Sequence, residues 1–262
     1  MNFDQLHPER GQIGAVEAAA RLRADATPPA DRPYLIVNFA ATADGRVAVG
    51  GRSGPIGNEA DRELFHELRA QVDAVMVGAG TVRTERYGRL VRDPDRRQRR
   101  AAAGLEPDPL AIVVSASLSL DPDIPLLQDP DSRVVIFTRS ERELEGCAAH
   151  VEYLRPADAP ASPDELHQRA ALLALRPLMR VLRERHGVQT VLCEGGPVLH
   201  AALLGEGLVD ELFLSLAPKL AGGAEPTIVS GPSLAPPLEM DLISVLHAGG
   251  HLFLRYRLSS SS

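Results

Sequence analysis

Short apolar runs alternate along the chain with stretches in which apolar residues recur every three or four positions. The runs YLIVNFAAT (34–42), DAVMVGAG (73–80), LAIVVSAS (110–117), RVVIFT (133–138), TVLCEGG (190–196) and ELFLSLAP (211–218) are rich in β-branched residues and most are closed by Gly, Pro or Ser. Such runs predict buried strands, and VEYL (151–154) is a weaker one. Between them, EADRELFHELRAQ (59–71) sets Leu64, Phe65 and Leu68 at helical spacing. SPDELHQRAALLALRPLMRVLRERHG (162–187) reads as a helix or a broken helix pair, with Gly187 as its natural C-cap. PVLHAALLGEGL (197–208) is a helix with Pro197 in its first turn. Ahead of the first strand the pattern gives a helix from about Ile13 to Ala24 and a Pro-rich lead-in, TPPADRP.

Strands alternating with helices predict an α/β fold with a mixed, mostly parallel sheet flanked by helices. ISVLHAGG and HLFLRYRL, joined by a tight glycine turn, predict an antiparallel C-terminal hairpin at the edge of that sheet. The stretch RDPDRRQRRAAAGLEPDP (92–109) has no apolar periodicity and is expected to be an exposed connector. The expected organisation is an N-terminal extension and lead-in (1–31), one domain (32–258) and a disordered Ser tail (259–262).

Composition narrows the function classes. A hydrophobic content of 44% and a charged content of 24% suit a soluble globular chain. The formal net charge of −7 argues against nucleic acid or a membrane surface as partner, so any anion site must be local. Cys147 and Cys193 cannot build a disulfide framework or a four-ligand zinc site, so no metal is expected. The N-terminus lacks an apolar signal core, and no apolar run approaches the roughly 18 residues of a membrane helix, which predicts a cytoplasmic protein. Lys219 is the only lysine, so the predominance of arginine reads mainly as compositional bias.

Three segments carry the candidate chemistry. In NFAATADGRVAVGGRSGPIGNEADRE (38–63), small Ala40, Ala41 and Thr42 end a strand and give way to glycine-rich loops. In VMVGAGTVRTERYGRLVR (75–92), Gly78, Ala79, Gly80 and Thr81 follow a strand, with Thr81 expected to cap a short helix, and four arginines follow. In VLCEGGPVLHAALL (191–204), Glu194 precedes Gly195 and Gly196 at a helix start, where free amides favour an anion. Alone, the first segment reads better as a tight turn between strands, and the other two read equally well as turns with solvated charges. Together, three glycine-rich strand ends point to one crevice at the carboxyl edge of the sheet, with Asp44, Glu85 and Glu194 as its acids and Arg69, Arg86, Arg89 and Arg92 as its arginines. The spacing is neither GxGxxG nor a P-loop, and no GxSxG elbow is present.

In this order, RPYLIVNFAATADGR, LRAQVDAVMVGAGTV with TERYGRLVR, and CEGGPVLHAALLGEGLVDELFLSLAPKLAGG resemble the reductase domain of riboflavin biosynthesis over about residues 32–258. That family is the C-terminal half of a bifunctional deaminase-reductase and has a dihydrofolate-reductase-like fold. The resemblance implies NADPH as hydride donor and, as acceptor, the ribosylamino C1′ of a phosphorylated pyrimidine (a 5-amino-6-(5-phosphoribosylamino)uracil-like compound). It implies cofactor contacts at Ala40, Gly78, Gly80, Thr81, Glu85, Gly195, Gly196, Pro197, Val198 and Leu199. Substrate contacts are implied at Ser53, Arg69, Leu90, Arg92 and Glu194, with Asn38 and Glu194 nearest the chemistry. It also implies a homodimer, which the apolar C-terminal hairpin suits.

Three departures bear on the substrate. Asn38 stands where bacterial members carry Lys, Pro55 replaces an aromatic, and Glu85 replaces Asp. The deaminase signature H-x-E with P-C-x-x-C is missing, so no deaminase activity is implied. Reduction of dihydrofolate or another pterin-like compound is a second reading, and a non-catalytic nucleotide-binding protein is a third.

Overall fold

The computed structural model describes residues 1–156 and 173–259. Strands run β1 Asn2–His7, β2 Gly11–Gly14, β3 Tyr34–Thr42, β4 Ala74–Gly78, β5 Leu110–Val114, β6 Arg133–Phe137, β7 His150–Leu154, β8 Thr190–Cys193, β9 Glu211–Ala217, β10 Met240–Ala248 and β11 His251–Leu258. Helices are α1 Ala15–Asp25, α2 Glu59–Arg69, α3 Ala79–Thr84, α4 Pro94–Ala102, α5 Leu175–Glu184 and α6 Pro197–Gly205.

The strands form one sheet in the order β2-β1-β10-β11-β9-β3-β8-β4-β5-β6-β7. From β9 to β7 every pairing is parallel, and from β2 to β9 every pairing is antiparallel. Each β3 residue alternates between two apolar layers. Leu35, Val37, Phe39 and Ala41 pack with Leu178, Met179 and Leu182 of α5 and with Leu199 and Leu203 of α6. Tyr34 and Ile36 face the other layer, with Leu22 of α1 and Leu64 and Leu68 of α2. A sheet covered on both faces needs continuous apolar strands, which is the pattern of YLIVNFAAT.

The mostly parallel sheet and its antiparallel C-terminal hairpin follow the sequence expectation, but the hairpin is not the edge. Residues 1–14 form a second hairpin whose β1 pairs with β10, burying Phe3 edge-on against the Phe253 ring at 5.1 Å. NFDQLH alternates too weakly to announce a strand, so tertiary pairing decides its conformation.

Residues 92–109 are also more ordered than an exposed connector. They hold α4, whose N-cap Asp93 accepts hydrogen bonds from Asp95 N (2.8 Å) and Arg96 N (3.2 Å). Its packing is ionic, which is why no apolar period reveals it. Arg96 and Arg99 donate to Glu67 of α2 (2.7 and 2.8 Å), and buried Arg100 donates to the carbonyls of Arg69, Val72 and Glu106. Of the 162–187 segment, α5 accounts for the apolar period Leu175, Leu178, Met179 and Leu182, and residues 162–172 lie outside the described residues, as do 260–262 of the Ser tail.

Candidate active site

Strands β3, β8 and β4 are neighbours and parallel, so their glycine-rich carboxyl ends emerge side by side. The β4 and β8 ends touch. Gly78 N donates to Gly195 O at 2.8 Å, and a Cβ on Gly78 would lie 3.4 Å from Gly196 N. Helix α6 starts here with Gly196 as N-cap and Pro197 at its first position, and no side chain caps it. The amides of its first turn therefore lack a side-chain partner, and the helix dipole there favours an anion.

Thr81 does not cap α3, contrary to the sequence expectation. Gly78 is the N-cap, and Thr81 sits two positions into the helix with its hydroxyl against Gly196. A Cβ on Gly196 would come within 3.1 Å of Thr81 Oγ1, so a side chain there would crowd the space between the two helix starts. Gly80 faces open space. Val198 is exposed, whereas Leu199 is buried in the core beside Gly78, so only its backbone is available to a ligand. Glycine edges, two helix amino ends and free amides suit the phosphates of a dinucleotide.

The crevice continues toward α2. Asn38 and Ala40 are half-buried on the β3 face that meets this helix. Ser53, on the loop before α2, donates its amide and hydroxyl to Glu85 Oε1, both at 2.9 Å. The expected substrate residue and the expected cofactor residue thus hold each other and close one side of the cleft.

Glu194, the β8-end carboxylate, is committed within the protein. Arg69 grips it with two hydrogen bonds, Nε to Oε1 at 2.6 Å and Nη2 to Oε2 at 2.7 Å, and the Tyr87 hydroxyl donates to Oε2 at 2.7 Å. The Glu194 side chain is only 2% exposed. Burial raises the Tyr87 phenol well above its ordinary range, with the Glu194 charge adding to it. Arg69 Nη1 also donates to Leu90 O (3.1 Å), and its guanidinium lies 4.3 Å from the centre of the Phe65 ring. Leu90 is itself buried, so what it offers the site is a carbonyl already held by Arg69. Glu194, Arg69, Tyr87 and Leu90 form a rigid floor. Tyr87 was not singled out by sequence reasoning, although it lies in the same TERYGRLVR loop as the arginines.

Beside this floor, residues 85–93 with His66, Arg69 and Arg96 line a cleft of about 360 Å³. Its arginines divide into two kinds. Arg89 is bound to Asp108 (2.8 Å) and Asp131 (3.0 Å), and Arg96 to Glu63 and Glu67 (both 2.7 Å). Arg86 and Arg92 have no carboxylate partner among the described residues, and a Cβ on Gly88 would collide with the Arg92 guanidinium. Asp44 is committed to its own turn and to the loop after β9. It accepts hydrogen bonds from Thr42 Oγ1 (2.6 Å), Ala221 N (3.0 Å) and Gly222 N (2.7 Å), which hold its carboxyl well below the usual range and tie the β3 end to the following loop.

Comparison with known proteins agrees with this geometry. The RibD C-terminal domain profile matches residues 33–254. The chain is 30% identical to 2,5-diamino-6-ribosylamino-4(3H)-pyrimidinone 5′-phosphate reductase of Archaeoglobus fulgidus, over 86% of this chain and 99% of that protein. It is also 30% identical to the protein of the same name in Methanothermobacter thermautotrophicus, over 86% of this chain and 98% of the other. Among solved structures, a pyrimidine reductase-like protein of Corynebacterium diphtheriae shares the fold with a TM-score of 0.74 at 23% identity, covering 93% of this chain and 99% of the other. The riboflavin biosynthesis reductase of Saccharomyces cerevisiae shares it with a TM-score of 0.66 at 21% identity, covering 90% and 94%. With a matching profile over most of its length and relatives spanned nearly end to end, the chain belongs to the RibD C-terminal domain family of reductases.

Proposed function

We propose that the protein is a cytoplasmic, NADPH-dependent reductase acting on the ribosylamino C1′ of 2,5-diamino-6-ribosylamino-4(3H)-pyrimidinone 5′-phosphate. The observation that carries this reading is the convergence of three glycine-rich strand ends on one crevice, with a phosphate cradle at one end and unpaired arginines at the other. The names of the relatives favour the 2,5-diamino acceptor over the uracil form expected from the sequence. When bound, NADPH supplies the hydride.

The chain's own residues bind, orient and exclude water. The free amides of α6 and the Gly195–Gly196 edge hold the cofactor phosphates, and Thr81 closes that cradle. Ala40 leaves room for a flat ring against β3. The Ser53–Glu85 clasp shuts one wall. The Arg69–Glu194–Tyr87 floor presents a fixed polar surface to the pyrimidine, with the open lone-pair position on Glu194 Oε1 available to a ring N–H. Arg92 and Arg86 meet the 5′-phosphate at the far end of the cleft. Most of the rate comes from the close, dry approach of donor to acceptor that this arrangement enforces.

Following loss of NADPH absorbance with the diamino acceptor, the uracil acceptor and dihydrofolate tests the reading. Turnover with the diamino acceptor alone or best is the expected result. Oxidation with dihydrofolate only would transfer the site to a pterin, and tight binding with no oxidation would make the protein a nucleotide binder. The arginine-rich cleft and the missing acidic ribose-binding motif favour NADPH over NADH, and equal affinity for both in a titration would contradict that preference.

The protein also acts as a homodimer in this proposal. Leu214 and Leu216 of β9, Leu252 and Leu254 of β11 and Val245 of β10 share one face by register, and all are half-exposed. A second copy of the same face would cover them. This rationale differs from the edge pairing expected from the sequence, because β1 already occupies the edge of β10. A monomeric mass by light scattering at micromolar concentration would refute it.

A further inference from the structure

One ionisable side chain beside the position assigned to the cofactor's flat ring is left without a role by the reading above. Asp61 lies in the first turn of α2, with Phe65 and Arg69 one and two turns further along the same side. Arg69 already borders the crevice, and its guanidinium lies over the Phe65 ring. Asp61 continues their stripe to the opposite end, where it lines a water-sized cavity with Asn38, Phe65 and Ser215. Ser215 is the register partner of Ala40, and Asn38 is two residues before Ala40 on the same face of β3. The Asp61 carboxyl therefore stands one strand away from the position assigned to the cofactor's flat ring, and across from Glu194 at the other end of α2. The neutral residues Asn38 and Ser215 surround it there.

We propose that Asp61 is a catalytic residue, the general acid that delivers the proton taken up when the acceptor is reduced. This rests on the reductase reading, because it needs a hydride acceptor that is an imine. Hydride adds to the C1′ carbon and the electron pair of the C=N bond moves onto nitrogen. That nitrogen takes the proton from the Asp61 carboxyl, directly or through one water in the cavity between Asn38 and Ser215. Asp61 is left as carboxylate and is reprotonated from solvent. One hydride and one proton are consumed for each amine formed.

Its surroundings favour the protonated form of the carboxyl. Burial raises the Asp61 carboxyl above its ordinary range. The Ser215 hydroxyl from β9, His251 from β11 and Arg62 on α2 itself each lower it by a smaller amount. The α2 cap does not compete for the carboxyl, since Asn58 Oδ1 accepts the Asp61 backbone amide at 2.8 Å. Gly57 leaves the space that the carboxyl occupies, because a Cβ there would collide with it.

The test is the pH dependence of kcat for wild type, Asp61→Asn and Ser215→Ala, alongside NADPH affinity from fluorescence titration. Wild-type kcat should fall as pH rises through the Asp61 pKa, since only the protonated form donates. Asp61→Asn should lower kcat by roughly 10²-fold or more, the usual scale for a lost general acid, remove that alkaline limb, and leave NADPH affinity within about twofold, a binding constant that any unfolding would destroy. Ser215→Ala removes a hydroxyl that favours the charged form, so it should move the limb to higher pH. A wild type that turns over and an Asp61→Asn protein with near-normal kcat and an unmoved limb would overturn the assignment while leaving the reductase reading intact. A folded wild type that binds NADPH and reduces no imine acceptor would overturn both.

Discussion

Two buried carboxylate–guanidinium pairs sit at opposite ends of the same sheet. At the carboxyl end, Glu194 is held by Arg69 and Tyr87. At the amino end, Glu211 of β9 accepts from Arg255 Nε (2.8 Å), Arg255 Nη2 (3.0 Å) and Tyr34 Oη (2.9 Å), and Arg255 also donates to Asp25 of α1 (2.8 Å). The two clusters use the same chemistry, an acid gripped in two places by arginine and once by tyrosine. Their surroundings differ. Glu211 is fully buried beneath α1, in a layer closed by Phe3, Leu22 and Phe253. Glu194 lies where β4 ends on Gly78, β8 runs into Gly195 and Gly196 and the chain turns away, so one wall of its cluster is an open cleft. The same buried pair can lock a core or form the floor of a site, and the backbone around it decides which. Gly78, Gly195 and Gly196 leave the strand ends on the Glu194 side with little to close over it.

The largest expected effect tests that division directly. Glu211→Gln should destabilise the fold by about 3–5 kcal/mol in urea unfolding, because buried Arg255 then keeps only the half-exposed Asp25 as a carboxylate partner. Turnover of the folded fraction should stay near wild type. Glu194→Gln should lose stability as well, and also about 2–4 kcal/mol of transition-state stabilisation, tens- to several-hundred-fold in kcat/KM. NADPH affinity should change little, since the phosphate cradle is on the Gly196 side. Equal losses of kcat/KM in both variants would erase the distinction between lock and floor.

Arg92→Ala comes next. It removes a guanidinium that has no carboxylate partner among the described residues, so stability should hold. KM for phosphorylated acceptors should rise on the order of 10–100-fold with kcat nearly unchanged, as for a charge-assisted contact made equally in ground and transition states. A matching rise in KM for an acceptor without phosphate would remove Arg92 from the phosphate end.

A smaller effect is expected at Gly195, which has φ +92 and whose Cβ would lie 3.1 Å from the Phe39 ring. Gly195→Ala should cost about 1–3 kcal/mol of stability from backbone strain and weaken NADPH binding. Unchanged melting and unchanged affinity would show that the glycine edge is not required. Smallest of all, Glu17→Ala breaks the exposed Arg21–Glu17 pair of α1 (3.0 Å) and should change stability by no more than about 0.5 kcal/mol. A larger change would mean that α1 carries more of the fold than its exposed face suggests.

Much of this could be read from the chain alone. Continuous apolar runs located β3, β4 and β8, and helical patterns located α2 and α6, because a sheet covered on both faces and the helices that cover it leave different apolar marks. Glycine at three strand ends located the crevice, since parallel topology puts strand ends of one sense on one edge. What only the tertiary structure decided has few apolar marks to leave. The β1–β2 hairpin takes its strand form from pairing with β10, and α4 is held by arginines on Glu67 and on backbone carbonyls. The arginines of residues 69–96 look alike in sequence. Their division into paired and unpaired depends on acids that are distant in sequence, such as Asp108 for Arg89 and Glu194 for Arg69. Asp61 is likewise an unremarkable acid in the first turn of a helix, and it gains its setting only when β3 and β9 bring Asn38 and Ser215 beneath it. Local sequence fixes where the backbone can bend and which faces are apolar. Charge pairing and burial of polar groups are contacts between distant residues, and folding alone assigns them.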